Sequence, residues 1–265
     1  MLIKEFRVIM PLSLEEYHIA QLYSVAEASK NETGGGDGVE VVKNEPCNHD
    51  KMGSGQYTYK IFHLASKVPR FVRAIAPKGS LEVTEEAWNC YPHCKTVISN
   101  PGYMKEKFHI TIETIHREDD TGKIDNIHNL PPELLAKREV VVIDIVNDHV
   151  EPRDYKEAED PTKYHSEKSG RGPLQPNWME TSKPIMCCYK LVTCDFVWWG
   201  LQGRVEKLIQ KTERRVFTNF HRQIFCWMDN WYGLTIDDIR AIEAKTKAEL
   251  DAQRDKGEVR GTSEQ

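Results

Sequence analysis

The sequence has no apolar run long enough to cross a lipid bilayer. Its best candidate, Val140 to Val146, is interrupted by Asp144, whereas a spanning helix needs about 20 apolar residues. The chain opens with alternating Phe6, Val8 and Met10 rather than with a basic segment followed by an apolar stretch, so we expect no signal peptide. Both absences disfavour a membrane-spanning or secreted protein.

The sequence also lacks an excess of positive charge. Its 265 residues include 36 Lys and Arg against 41 Asp and Glu, which gives a formal net charge of -5. Binding of nucleic acid depends mainly on neutralising phosphates, so we expect no nucleic-acid partner. The same balance disfavours permanent adhesion to anionic membranes, so we expect any membrane contact to be transient.

Cysteine spacings typical of metal or disulfide frameworks are missing as well. The seven cysteines are odd in number, Cys187 and Cys188 are adjacent, and no pair has Cys-x-x-Cys spacing. This pattern favours neither a disulfide framework nor a structural zinc site. We therefore expect a reducing, cytoplasmic location and no metal.

Motifs that would identify a catalytic site are absent too. The sequence contains no His-Glu-x-x-His and no Gly-x-Ser-x-Gly. The glycines from 34 to 36 follow a helical pattern and precede no Gly-Lys-Ser/Thr, so they indicate a connector and not a phosphate loop. We expect no catalytic residues and no cofactor, although an enzyme without a recognisable motif and a protein-binding adaptor stay open as alternatives.

The patterns that are present predict an α+β fold. Alternating apolar residues indicate successive strands with few helices between them, which favours an antiparallel sheet. The strand-like segments are Ile3–Met10, Val39–Asn44, Gln56–Leu64, Leu81–Tyr91, Lys95–Ser99, Lys107–His116, Arg138–Val146 and Tyr189–Val197.

Helical signals lie near the two ends of the chain. Ser13 and Glu16 form a capping-box pattern for a helix that continues to about Ser29. Helical periodicity returns from 201 to about 231, and a further helix is expected from 235 to about 254. Residues 147–184, rich in Pro, Lys, Glu and Asp, predict a long loop with a functional or mobile role.

Two adjacent tryptophans, Trp198 and Trp199, stand between a strand pattern and a helical pattern. Neighbouring strand residues point to opposite sides, so at least one indole is expected near the surface. Indole prefers the interface between hydrocarbon and headgroups, so the pair suggests membrane contact. The alternative is that one or both side chains close the core at a strand end.

Polar residues on strand faces suggest a binding site. Thr58 and Lys60 are two residues apart and share a face, where they offer donors to a polyol or phosphate. Lys190 lies on a face that is otherwise apolar, so it either reaches outward or meets a buried anion. Thr114 could supply a hydroxyl to the same anion. The alternatives are an exposed edge for the first pair and a core threonine for Thr114.

Five separated segments carry a more specific resemblance. They are Ser24–Gly38, Ala87–Pro92 (Ala-Trp-Asn-Cys-Tyr-Pro), Ser169–Leu174, Trp198–Leu201 and Phe217–Trp227. In this order, and over most of the chain, they resemble the soluble single-domain phosphatidylinositol transfer proteins. The resemblance implies a START-like fold over residues 1–265, in which a curved antiparallel sheet and long helices enclose one phospholipid. It also implies a regulatory loop at 147–184 and a C-terminal lid helix and tail at 235–265.

The resemblance further implies roles for individual residues. An inositol headgroup would be held by the residues matching Thr58, Lys60, Asn89 and Glu243. The lipid phosphate would be contacted by those matching Gln21, Thr96, Thr114 and Lys190. Cys94 matches a cavity cysteine whose alkylation blocks transfer, Trp198 and Trp199 match a membrane-inserting pair, and Ser166 matches a regulatory serine that is a candidate for phosphorylation.

The implied function is exchange of one phosphatidylinositol or phosphatidylcholine molecule between membranes, in support of phosphoinositide signalling and membrane traffic. The implied state is a lipid-loaded monomer in the cytoplasm that associates transiently with organelle membranes. An adaptor that presents phosphatidylinositol to lipid kinases without net transport needs the same pocket, and it stays open as the alternative.

Overall fold

The computed structural model describes residues 1–34, 37–63, 77 and 80–254. Within these residues, eight strands form one sheet in the order β2-β3-β4-β5-β6-β8-β1-β7. The strands are β1 (Leu2–Met10), β2 (Gly38–His49), β3 (Gly53–His63), β4 (Glu82–Cys90), β5 (His93–Asn100), β6 (Lys105–Glu118), β7 (Arg138–Ile143) and β8 (Met186–Phe196). The α+β expectation is therefore confirmed, while the predicted end of β3 at Leu64 lies outside the described residues.

One pair of strands departs from the expected antiparallel arrangement. β7 runs parallel to β1, with Ile3 opposite Arg138 and Val8 opposite Ile143, while the other neighbouring strands are antiparallel. Alternation of apolar residues reveals which faces of a strand are buried, but it carries no information on strand direction. The expected antiparallel sheet is thus confirmed for six of the seven described strand pairs, and the parallel pair of β1 and β7 at this edge is an addition that the pattern did not predict.

Seven helical segments accompany the sheet in the described part of the chain. The three long ones are α1 (Leu14–Glu32), α4 (Gln202–Cys226) and α6 (Ile236–Arg254), and the short ones are α2 (Pro132–Leu135), a 3₁₀ turn (Glu157–Glu159), α3 (Trp178–Thr181) and α5 (Met228–Trp231). The predicted capping box is present, because Glu16 N donates to Ser13 Oγ at 3.1 Å and Ser13 N donates to Glu16 Oε2 at 2.9 Å. The single helix expected from 201 to 231 is instead broken at Trp227.

The apolar core lies at one end of the sheet, where α4 packs on β1 and β8. Phe6 of β1 meets Phe217 of α4 edge to face, with ring centroids 5.4 Å apart. Side chains of β3 to β5 are mostly half-buried instead. The sheet is therefore tightly packed at β1 and β8, whereas the faces of β3 to β5 are only partly covered by other side chains.

The predicted loop at 147–184 is irregular but firmly attached. Trp178 is only 1% exposed, and its Nε1 donates to Asp144 Oδ1 at 2.9 Å. Arg171 forms a bidentate pair with Glu16 of α1, with N–O distances of 2.7 and 2.9 Å. The loop thus closes over the start of α1.

None of the helices in the described ranges combines the length and the apolar character that a transmembrane span requires.

Candidate functional site

Strand register places most of the predicted binding residues on one face of the sheet. Directly opposite residues of an antiparallel pair point to the same side. Asn89 is opposite Cys94, Cys94 is opposite Thr114, and Thr114 is opposite Lys190. Alternation along β3, β4 and β5 then adds the others. The residues that share this face, called the inner face below, are Thr58, Lys60, Asn89, Cys94, Thr96, Thr114 and Lys190.

Lys190 forms the cationic part of the inner face. Its Nζ lies 5.2 Å from the ring centroid of Phe217, and it makes no salt bridge or hydrogen bond to any residue that the structure describes. Thr114 is opposite and only 5% exposed. A half-buried ammonium beside a buried hydroxyl, with no carboxylate bound to it, is suited to an anion such as a phosphate.

Gln21 of α1 reaches the same region. Its amide approaches the Cys94 thiol and slightly offsets the rise in the pKa of that thiol, although the amide Nε2 is buried without a hydrogen-bond partner among the described residues. The thiol Sγ lies 3.1 Å from Asn89 Oδ1. Burial raises the pKa of Cys94 to about 12. The helix therefore adds an unused donor to the phosphate-binding set predicted from the sequence.

An ion pair lies at the other end of the inner face. Lys60 Nζ is 3.0 Å from Glu85 Oε1, and the two side chains are 13% and 17% exposed. Sequence analysis missed Glu85, although its spacing of four residues from Asn89 on one strand places both on the same face. Together with Thr58, the pair offers a donor and an acceptor side by side.

Glu243 is brought to this end of the sheet by α6. Its Oε2 accepts hydrogen bonds from Asn44 Nδ2 at 3.0 Å and from Arg240 Nη1 at 2.7 Å. Asn44 lies opposite Thr58 on β2, and its Oδ1 accepts from Gln56 Nε2 at 2.7 Å. The carboxylate of the C-terminal helix is therefore held beside the strand that carries Thr58 and Lys60.

A second carboxyl group missed by sequence analysis is Glu213, one turn before Phe217 on α4. Burial raises its pKa to about 7, the charge of Lys190 acts in the opposite direction, and Glu85 adds to the rise. Glu213 and Cys94 are both deep in the protein, yet each keeps part of its surface free of protein contact. From this combination of depth and accessible surface we infer an internal space between the inner face and the helices.

Two histidines line the space near Lys190 without adding charge. Tyr17 Oη donates to His221 Nε2 at 2.9 Å, and His221 Nδ1 donates to Phe217 O at 2.7 Å. His116 Nδ1 donates to Pro92 O at 2.7 Å. Burial and the charge of Lys190 lower the pKa of both rings, that of His116 to about 3. Both imidazoles are thus neutral at pH 7, and Lys190 supplies the positive charge.

The tryptophan pair lies between β8 and α4. Trp199 is 98% exposed and Trp198 is 39% exposed, with the Trp198 ring parallel to that of Phe196 at a centroid distance of 6.3 Å. The expectation that at least one indole lies at the surface is confirmed. Trp198 keeps some packing, whereas Trp199 extends fully away from the core.

Ser166 is enclosed within the long loop. It is 0% exposed, and its Oγ donates to Asp229 Oδ1 at 2.6 Å. The same carboxylate accepts from the backbone N–H groups of Glu167 and Lys168. These contacts tie the loop to α5, and no reagent reaches the hydroxyl unless they open.

The sequence of the chain matches one known protein family. The family model described as phosphatidylinositol transfer protein matches residues 1–248. The chain belongs to the phosphatidylinositol transfer protein family. The family membership that the five sequence segments indicated is therefore confirmed.

Similar members of the phosphatidylinositol transfer protein family cover nearly the whole chain. The phosphatidylinositol transfer protein beta isoforms of Mus musculus and Homo sapiens are 57% identical over 268 residues, which is 99% of this chain and 98% of each relative. Phosphatidylinositol transfer protein 1 of Dictyostelium discoideum is 51% identical over 252 residues, or 94% of both chains. The likeness thus extends through the sheet, the long loop and most of α6.

Proposed function

We propose that the protein holds one phosphatidylinositol or phosphatidylcholine molecule in the internal space and exchanges it between membranes. The observation that supports this most directly is the strand register, which collects an unpaired cation, hydroxyls and an ion pair on one face under the helices. The names of the relatives refer to transfer, so an adaptor that only presents lipid is not favoured. Lipid transfer requires no catalytic residues.

Enclosure of the acyl chains is the energetic requirement for transport through water. A phospholipid carries roughly 30 methylenes, and exposing each costs about 0.8 kcal/mol, so bare chains would cost on the order of 25 kcal/mol. Half-buried apolar side chains of the inner face, such as Ile98 and Ile112, can cover such chains. A closed protein then holds the lipid until a bilayer replaces the pocket as apolar surroundings.

The two ends of the inner face divide the headgroup between them. Lys190, Thr114, Thr96 and Gln21 bind the phosphate, which both lipids carry. Thr58, Lys60, Asn89 and Glu243 bind inositol, whose hydroxyls both donate and accept hydrogen bonds. A choline headgroup carries no N–H or O–H donor, so it leaves the second set unused and is held by the phosphate contacts alone.

Exchange requires that the lid formed by α6 separates from the rest of the protein. It is held by the burial of Ile239 and Leu250, both 0% exposed. Two polar contacts add to this, the hydrogen bond of Asn44 with Glu243 and the ion pair of Lys30 of α1 with Glu249, whose Nζ–Oε2 distance is 3.3 Å. Trp198 and Trp199 insert into the bilayer during this step and anchor the protein briefly. The two polar contacts are at most partly buried and contribute little, so the main cost of opening is exposure of Ile239 and Leu250, which contact with the bilayer offsets.

The protein acts in the cytoplasm as a lipid-loaded monomer that visits organelle membranes. All seven cysteines are unpaired, which suits a reducing compartment. Phosphorylation of Ser166 would follow opening of the loop, because its hydroxyl is buried. A phosphate there would repel Asp229 and keep the loop from closing again.

Native mass spectrometry followed by lipid extraction tests the proposal. We expect one phospholipid per chain, replaced by phosphatidylinositol after mixing with vesicles that contain it. The Lys190→Ala variant should retain less lipid of both classes, while Lys95→Ala, on the opposite face of β5, should behave like the wild type. A wild-type chain that is lipid-free and fails to load from vesicles would overturn the proposed function.

A further inference from the structure

The first half of α4 carries a row of exposed basic side chains. Arg204, Lys207, Lys211 and Arg214 are all exposed, and their spacings of three and four residues place them on one side of the helix. Leu201 and Leu208, which are 44% and 51% exposed, lie on the same side. These six residues are called the basic face of α4 below.

No exposed acidic side chain interrupts this region within residues 197–216. Glu206 is 4% exposed, and its Oε1 accepts from Phe196 N and pairs with the N-terminal amine at 3.1 Å. Glu213 points inward toward Lys190. On a chain whose formal net charge is -5, the exposed charges of this segment are therefore all positive.

Several acidic groups on the neighbouring segments are already paired, while Glu151 lies exposed in the groove that Lys211 and Arg214 line. Asp148 lies 3.3 Å from Arg214, whose side chain stays 51% exposed, and Glu139 lies 3.0 Å from Lys4. Lys207 and Lys211 have no ion pair with any residue in the described ranges. Their charges are thus available to a partner.

The basic face continues directly into the apolar tip of the molecule. Val197 is 47% exposed and Trp199 is 98% exposed, and Tyr103 lies beside Trp198 with ring centroids 6.1 Å apart. Apolar anchors next to a row of cations are the combination that binds the interface of an anionic bilayer, because neither signal alone gives firm attachment.

We propose that the basic face of α4 docks on membranes rich in anionic lipids while Trp199 and Leu201 insert among the headgroups. This docking rests on the proposed lipid transfer, and it specifies that the target membrane is anionic. It also fixes an orientation, since α4 then lies along the membrane surface. The protein can still leave the membrane readily, because salt at physiological concentration screens exposed charges over about 8 Å and so weakens their attraction to the lipid.

Vesicle flotation with two compositions tests the inference, using phosphatidylcholine alone and phosphatidylcholine with 30 mol% phosphatidylserine. We expect wild type to prefer the anionic vesicles. The double variant Lys207→Glu with Lys211→Glu should lose that preference, with affinity for anionic vesicles falling by about 30-fold at low salt. Binding to neutral vesicles should stay as in wild type.

A matched control changes the same charge elsewhere. Lys43→Glu with Lys51→Glu alters two exposed lysines of β2 and its turn and should bind anionic vesicles nearly as wild type does. Replacing Trp198 and Trp199 by Ala should weaken binding to both vesicle types. Raising the salt concentration to 0.5 M should remove most of the difference between wild type and the Lys207 and Lys211 variant.

Several outcomes would overturn the inference. One is unchanged binding of the double variant to anionic vesicles, and another is an equal loss on neutral vesicles. A third is wild type that binds a labelled nucleic-acid duplex while showing no preference for anionic vesicles. If such a protein still carries and exchanges one phospholipid by native mass spectrometry, only this inference fails, whereas a protein that carries none contradicts the proposed function as well.

Discussion

Lys60 on β3 and Glu85 on β4 lie directly opposite each other, with 3.0 Å between Nζ and Oε1. The pair is mostly buried, so it presents a donor and an acceptor in a place with little competing water. A sugar-like hydroxyl can accept from Lys60 and donate to Glu85 at once, whereas a quaternary ammonium has no N–H and can form a hydrogen bond with neither. Under the proposed function, we therefore expect the pair to distinguish a polyol headgroup from choline by hydrogen bonding.

Removing this discrimination should affect the two lipids differently. In Thr58→Ala and Lys60→Ala, we expect phosphatidylinositol transfer to fall at least about tenfold, since each unsatisfied buried partner costs about 1 to 3 kcal/mol. Phosphatidylcholine transfer should stay near the wild-type rate. The measurement is transfer of labelled lipid between vesicles, with Lys95→Ala as the outward-facing control. Equal loss of both activities would refute the division of the headgroup.

Asn44 should act as a positioning residue for Glu243, because it joins the lid helix to the strand pair under it. We expect Asn44→Ala to lower phosphatidylinositol transfer by about tenfold through the loss of its hydrogen bond to the Glu243 carboxylate, with phosphatidylcholine transfer retained. The double variant with Glu243→Gln should be little worse than either single one. Asn48→Ala, four residues further along β2, is the control, and additive losses would contradict the coupling.

Sequence alone named many of the residues that the structure brings to the inner face, and its omissions have a physical pattern. Period-two alternation correctly grouped Thr58 with Lys60, since that grouping depends only on local strand geometry. The hydrogen bond between Asn44 and Glu243 spans 199 positions, and no local pattern reports such a contact. The direction of β7 and the inward position of Glu213 likewise depend on packing between distant segments.

Cys94 should react slowly with alkylating reagents, and its alkylation should stop lipid transfer. Burial raises its pKa to about 12, so little thiolate exists at pH 7 and its amount should rise about tenfold per pH unit. We expect a maleimide to stop transfer at a rate that increases steeply from pH 7 to 9, because the adduct occupies the inner face. Transfer by Cys94→Ala should resist the reagent, and the matched variant Cys47→Ala should remain sensitive. Inhibition that persists in Cys94→Ala would place the sensitive thiol elsewhere.

Glu213 should make the stability of the protein depend on pH. Its pKa rises from 4.5 to about 7 on folding, so between these values the unfolded chain loses a proton that the folded chain keeps. Stability from this group is therefore fully present at low pH and declines as the pH rises through this window. The Glu213→Gln variant does not titrate there, so its Tm relative to wild type should increase with pH, by about 5 °C at pH 8.5 compared with pH 5.5.

The comparison isolates Glu213 because every other titrating group is shared. His116 and His221, whose pKa values are lowered by burial, change the stability of both proteins in the same way and cancel in the difference. Thermal unfolding of wild type and variant, both loaded with the same phosphatidylcholine, provides the data. Glu180→Gln, an exposed change, should leave the profile unaltered. A difference in Tm between the Glu213→Gln variant and wild type that is constant from pH 5.5 to 8.5 would contradict the prediction, because it would show that Glu213 is already ionised in the folded protein at pH 5.5.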